Sequence, residues 1–217
     1  MSFRKLFDFL RVLNKNNHKE WMDEHRKEYY EVRDFFIAWL NELDMRLDRI
    51  DPDYSPTSGK QKINRINNNL LFHPDKPVYK DHFSGGLDKE KGKGDFYIHL
   101  GINECFVAGG FYRPPKKILD SLRAAIDYNG EELNKILNEQ SFKESFEDLI
   151  KDEKLKTAPK GYSQEHPHID LLRNKSYAVM HSFTQKEVTQ DDFQDKVIDL
   201  YKQMLPFRRY LNKAVTV

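Results

Sequence analysis

Midway along the chain the spacing of apolar residues changes from three or four to two, and this change decides the fold class. Asp95-Phe96-Tyr97-Ile98-His99-Leu100 alternates strictly, with Phe96, Ile98 and Leu100 on one face of an extended strand and Tyr97 and His99 on the other. A second apolar segment, Phe106-Val107-Ala108-Gly109-Gly110-Phe111-Tyr112, follows after only a few residues. A parallel partner would need a crossover of roughly a dozen residues. The two segments therefore predict an antiparallel hairpin turning around Asn103-Glu104.

The flanking sequence has helical spacing. Phe3, Leu6, Phe7, Leu10 and Leu13 form one stripe, and Asn17 with Glu20 makes a capping box that opens a long helix running to about residue 49. Asp51-Pro52 stops it. Pro114-Pro115 opens a helix carrying Ile118, Leu119, Leu122 and Ile126, which Gly130 closes. Ser141 and Glu144 cap another, a short helix begins near Pro167, and a last one starts at Thr189, with Pro206 to stop or kink it. Lys62-Ile63-Asn64-Arg65-Ile66 and residues 176–183 read as further strands. With strands central, helices before and after, and no repeat, residues 1–217 are expected to form a single α+β domain with a central, mainly antiparallel sheet flanked by helices.

Composition narrows the classes. Hydrophobic residues at 38% and charged residues at 33% exclude both a disordered chain and a membrane-embedded one. Lys plus Arg (36) nearly balance Asp plus Glu (35), so nothing supports the concentrated cationic face that nucleic-acid binding needs. No apolar leader follows Met1, and the one cysteine, Cys105, reads as a small buried hydrophobe. A cytoplasmic protein with no membrane or nucleic-acid partner is expected.

The chain has no phosphate-loop, dinucleotide-binding, zinc-protease or nucleophile-elbow signature. His166-Pro167-His168 is the closest histidine pair, but it reads as a helix start because no third ligand can be chosen. No metal site or cofactor is thus specified. The candidate chemistry lies in a stretch of about 25 residues between the first strand and the hairpin, a loop long enough to be mobile or functional. There Lys76, Tyr79, Lys80 and His82 fall within seven residues, and Arg65 ends the strand before them. Arg65, Lys76 and Lys80 are candidate anion ligands, and Tyr79, His82 and His99 are candidate proton-transfer groups, with Tyr97 beside His99. Two alternatives stand beside this reading: a solvated lysine-rich loop, and a sheet face of packed aromatics. Gly109 and Gly110 would let a ligand approach the backbone or would mark a bulge.

Further motifs recur in order. They are Asn16-Asn17-x-x-Glu20-Trp21 with Arg26 and Tyr29; Arg65-Ile66, Phe72, Asp75-Lys76, Tyr79-Lys80 and His82; Phe96-Tyr97-x-His99-Leu100; Gly110-x-Tyr112-x-Pro114; and Pro159-Lys160-Gly161-Tyr162 with His166-Pro167, Leu171-Leu172-Arg173 and Lys175. Spread over nearly the whole chain, this set resembles the domain of unknown function 2461 family. The resemblance implies one cytoplasmic α+β domain and brings no established activity. The family's usual Arg-Asp-x-Arg-Phe-Ser-Lys-Asp-Lys stretch is here Asn68-Asn69-Leu70-Leu71-Phe72-His73-Pro74-Asp75-Lys76. An anion site built on the charges replaced at Asn68, Asn69, Leu71 and Pro74 would be altered in this chain. The expected function is binding, or enzymatic handling, of an anionic small molecule between the basic loop and the sheet. The alternative is a non-catalytic protein-interaction domain that pairs with itself through exposed aromatics.

Overall fold

A computed structural model describes residues 1–57, 61–151 and 153–216. Among these residues are eight helices and a four-stranded antiparallel sheet, the α+β class expected. The strands β1 (His82–Leu87), β2 (Asp95–Gly101), β3 (Cys105–Phe111) and β4 (Tyr177–Phe183) lie side by side in sequence order. β2 and β3 form the predicted hairpin, closed where the Gly101 N–H donates to the Glu104 carbonyl at 2.9 Å.

β1 is a correction, because the sequence predicts a long loop over these residues. Its Ser84-Gly85-Gly86 has no apolar alternation, and Gly85 is required by a close approach. A Cβ there would lie 2.7 Å from the Lys62 carbonyl and 2.8 Å from a Leu40 methyl. Residues 62–66, read as a strand, instead follow β1 through a single bridge, Ile63 to Gly85, and two flanking backbone bonds.

The chain divides into two compact units. One comprises Met1–Asp88, Tyr97–Val107 and Ser182–Ile198. In it α1 (Phe3–Lys15), α2 (Lys19–Glu24) and α3 (Arg26–Ile50) bury Leu6, Phe7, Leu10, Leu13, Phe36 and Leu40. Phe36 and Tyr29 pack on Phe83 of β1, and Phe3 meets Phe35, Trp39 and Phe193 edge-on. The single helix expected from Asn17 to about residue 49 is broken at His25 (φ −102°, ψ 18°), whose ring stacks on Trp21 at 4.0 Å and bonds its carbonyl. The cap of α2 is His18, whose Nδ1 accepts the Trp21 N–H, while Asn17 is occupied elsewhere. A Thr184–Glu187 box caps the helical turn Gln185–Val188, so the chain turns helical before Thr189.

The other unit comprises Lys89–Phe96, Ala108–His181 and Asp199–Val217. α4 (Lys116–Asn138) continues past Gly130 through one non-helical residue, Asn129. α5 (Gln140–Phe146) is capped by Glu139, whose carboxylate accepts the Phe142 N–H, rather than by Ser141. α6 (Ile169–Leu172) follows His168 as the sequence suggested. With the turn at Gln185–Val188 numbered α7, the last helix is α8 (Phe193–Ala214). It runs through Pro206, which sits on the exposed side of the helix. Gly109 lies against Met204 and Arg208, and Gly110 against the Tyr177 carbonyl, so protein fills the space that a ligand was expected to approach.

Gly110 has φ +108°, and a Cβ there would lie 2.3 Å from the Tyr177 oxygen. Gly161 has φ +96° with nothing within 4 Å. Gly110→Ala should therefore lower stability by more than about 2 kcal/mol, and Gly161→Ala by only about 1 kcal/mol. Urea midpoints of the two variants test this: equal losses would show that backbone conformation, not the contact, sets the cost.

Candidate functional site

Side chains alternate along β1, so His82 and Ser84 share one face while Phe83 takes the other. In β2 the same alternation puts Tyr97 and His99 opposite the fully buried Phe96, Ile98 and Leu100. The sheet brings these two sets together. The His82 and His99 rings stack at 3.9 Å, and His99 continues the stack onto Phe106 of β3 at 4.7 Å and 10°. A Cβ on Gly101 would approach His82 Cβ to 3.0 Å and His99 Nε2 to 3.2 Å, so the glycine admits the paired rings.

A directed hydrogen-bond chain crosses this face. Asn64 Nδ2 donates to Ser84 Oγ at 3.1 Å, Ser84 bonds the Tyr97 hydroxyl, and Tyr97 Oη lies 3.4 Å from His99 Nδ1. With Nδ1 accepting from the phenol, the His99 proton sits on Nε2, which faces Glu104 Oε1 at 3.6 Å. His82 Nδ1 lies 3.0 Å from Asp81 Oδ1, and Asn103 donates to the other carboxylate oxygen at 2.8 Å. A carboxylate only accepts, so the His82 proton is on Nδ1 and Nε2 offers a lone pair.

Burial favours the neutral form of both imidazoles. It lowers the His82 pKa despite the opposing Asp81 carboxylate. His99 is pushed down to about 4, by burial first and then by the charge of His82. Burial would raise Asp81, but the bonds from His82 and Asn103 outweigh it and hold the carboxyl below its ordinary value. Tyr97 is raised by burial against the Ser84 bond.

Beside the rings stands a cationic group. Lys80 Nζ donates to the Arg65 carbonyl at 2.7 Å. Its pKa is lowered by burial, then by the charges of Arg65 and Lys76, and its own charge lowers both His82 and His99. Among the described residues none of Arg65, Lys76 and Lys80 is ion-paired to a carboxylate. Tyr79 is not brought to the rings. Its ring is buried near Arg26, Asp23 and Glu20.

Sequence reasoning missed Asp81, Ser84, Asn64 and Asn103. Asp81 adjoins His82 in the chain and was a legible signal, whereas the others depend on the placement of β1 and on the hairpin turn. No cluster of three or more His, Cys, Asp or Glu that could hold a metal is present among the described residues.

A family model described as a conserved hypothetical protein (DUF2461) matches residues 5–210, and the chain belongs to that family. No curated protein and no solved structure matches it.

Between pH 6.5, the ordinary histidine value, and about 4, the unfolded chain binds a proton at His99 that the folded chain refuses. Stability should be full above pH 6.5 and fall as the pH drops to 4, by up to about 3 kcal/mol from His99 alone. Urea midpoints followed from neutral to acid pH should decline, and decline less steeply in His99→Gln. Parallel profiles would show that His99 is not the group responsible.

Proposed function

We propose that this DUF2461 member binds a small anion on the polar face of its sheet and exchanges a proton with it. Lys80, Arg65 and Lys76 hold the negative charge, and His82, oriented by Asp81, is the proton acceptor through Nε2. His99 and Tyr97 hold the neighbouring wall through the Ser84 hydrogen bond. The observation that carries this reading is the group of three cations with no carboxylate partner among the described residues, beside an imidazole held by Asp81. Burial first, and then the charges of Arg65 and Lys76, depress Lys80, and an anion would relieve the repulsion among the three. Positions 68, 69, 71 and 74 carry no charge in this chain, which leaves Arg65, Lys76 and Lys80 as the cations for an anion on this face. Cys105 is buried, with its thiol donating to the Gly101 carbonyl at 3.4 Å, which suits a reducing cytoplasm.

A second reading, self-association through an exposed apolar surface, is favoured by Leu71 and Phe72. They are 83% and 73% exposed at the tip of the excursion that carries Lys76. Light scattering decides it: a strict monomer at high concentration dismisses this reading and leaves the first untouched.

The anion site is tested by titrating inorganic phosphate and a panel of small carboxylic acids at fixed ionic strength, reading melting temperature and backbone NMR shifts. Phosphate should raise the melting temperature and move the Lys80 and His82 resonances. Lys80→Ala should weaken binding by about tenfold, the loss of one charge-assisted hydrogen bond. Equal responses from the Lys76→Ala/Lys80→Ala double variant, or none from the unaltered protein, would refute the assignment.

A further inference from the structure

The segment leading into β1 has one hydrogen-bonding edge that no strand of the described residues covers. On its inner side Lys80 N–H donates to the Ile66 carbonyl at 2.8 Å and Asn68 N–H to the Val78 carbonyl at 2.9 Å. Tyr79 faces Asn67 in an isolated antiparallel bridge between those bonds. In such a pair the N–H and C=O of the central residue point away from the partner strand. Among the described residues no strand lies on that outer side, so both groups of Tyr79 need another partner.

Asn17 supplies it. Its Oδ1 accepts the Tyr79 N–H at 2.8 Å, and its Nδ2 donates to the Tyr79 carbonyl at 2.9 Å. The carboxamide thus presents the donor and acceptor of one peptide unit and stands in for a missing strand. The loop between α1 and α2 that carries it is itself held, because Asn16 N–H donates to the Leu13 carbonyl and His18 N–H to the Asn16 carbonyl.

We propose that Asn17 is a positioning residue for the anion site, fixing the peptide that joins Tyr79 to Lys80 and, through it, the placement of Lys80, Asp81 and His82. This inference rests on the function proposed above. It gives Asn17 a role other than the helix cap that its spacing to Glu20 suggests. Asn17 touches no ligand; it acts through the backbone of Tyr79.

The experiment compares the full chain with Asn17→Ala and with Asn134→Ala, which removes a hydrogen bond to His168 in the other unit. Melting temperature, phosphate affinity, and the His82 and Lys80 side-chain resonances are read in each. Asn17→Ala should weaken phosphate binding by about three- to tenfold, the size of about one ordinary hydrogen bond passed on to the site, and should shift both sets of resonances. Asn134→Ala should lower the melting temperature alone. If Asn17→Ala lowers the melting temperature but leaves phosphate affinity and both resonances unchanged, the positioning role is overturned. If the unaltered protein does not bind phosphate, the proposed function fails, and the resonances of His82 and Lys80 still decide the role of Asn17.

Asn17→Asp keeps the test open should the alanine variant unfold. A protonated carboxyl can accept the Tyr79 N–H and donate to its carbonyl, whereas the ionised form sets a negative oxygen against that carbonyl. Sulfate affinity relative to the unaltered protein, measured with an anion of constant charge, should recover as the introduced carboxyl protonates. A ratio independent of pH would overturn the proposal.

Discussion

The side chains of a strand alternate with period two, so β2 cannot slip by one residue without exchanging its faces. Phe96, Ile98 and Leu100, all fully buried, would emerge, and Tyr97 and His99 would enter the core. Each of those three apolar residues contributes about 1.5–3 kcal/mol by burial, so the slipped arrangement is not populated. The register that builds the core therefore also builds the polar face. Once β2 is set, His99 must meet His82 on one side and Phe106 on the other, and Tyr97 must meet the hydroxyl of Ser84.

The parts of this arrangement legible in the sequence are those with a period. The β2–β3 hairpin, the buried stripe of α1 and the strand ending at Phe183 follow from spacing alone. β1 does not, because its glycines answer to Leu40 and the Lys62 carbonyl, atoms remote in sequence, and glycine carries no periodic signal. For the same reason Lys80 and His82 could be named as candidates while their partners could not. Asn17 illustrates a second kind of blindness: a residue with good capping chemistry three positions before a glutamate makes its bonds 62 residues away. Tyr79 illustrates a third. Its neighbours in the chain carry the proposed chemistry, but its own ring is buried near Arg26, Asp23 and Glu20.

Net charge conceals what local charge reveals. A balance of +1 over 217 residues argues against a polyanion partner, yet Arg65, Lys76 and Lys80 stand together with no carboxylate paired to them among the described residues. Some other surface cations are matched within a helical turn, as in Lys116 with Asp120 and Lys196 with Asp192, and others, such as Lys5 and Lys27, are exposed to water. Against that background an unmatched, partly buried lysine marks a place where the fold tolerates an electrostatic cost. Lys62 shows the contrasting solution: buried like a core residue, it is paired with Asp44 at 3.0 Å and bonded to Asn41.

The outer edge at Tyr79 bears on behaviour far from any ligand. An uncovered pair of backbone groups on an extended segment is a docking point for the extended segment of another molecule, and adjacent apolar side chains make such addition favourable. Leu71 and Phe72 stand exposed on the same excursion. One carboxamide, that of Asn17, occupies both backbone groups of Tyr79 and leaves that edge no free peptide to offer an incoming strand.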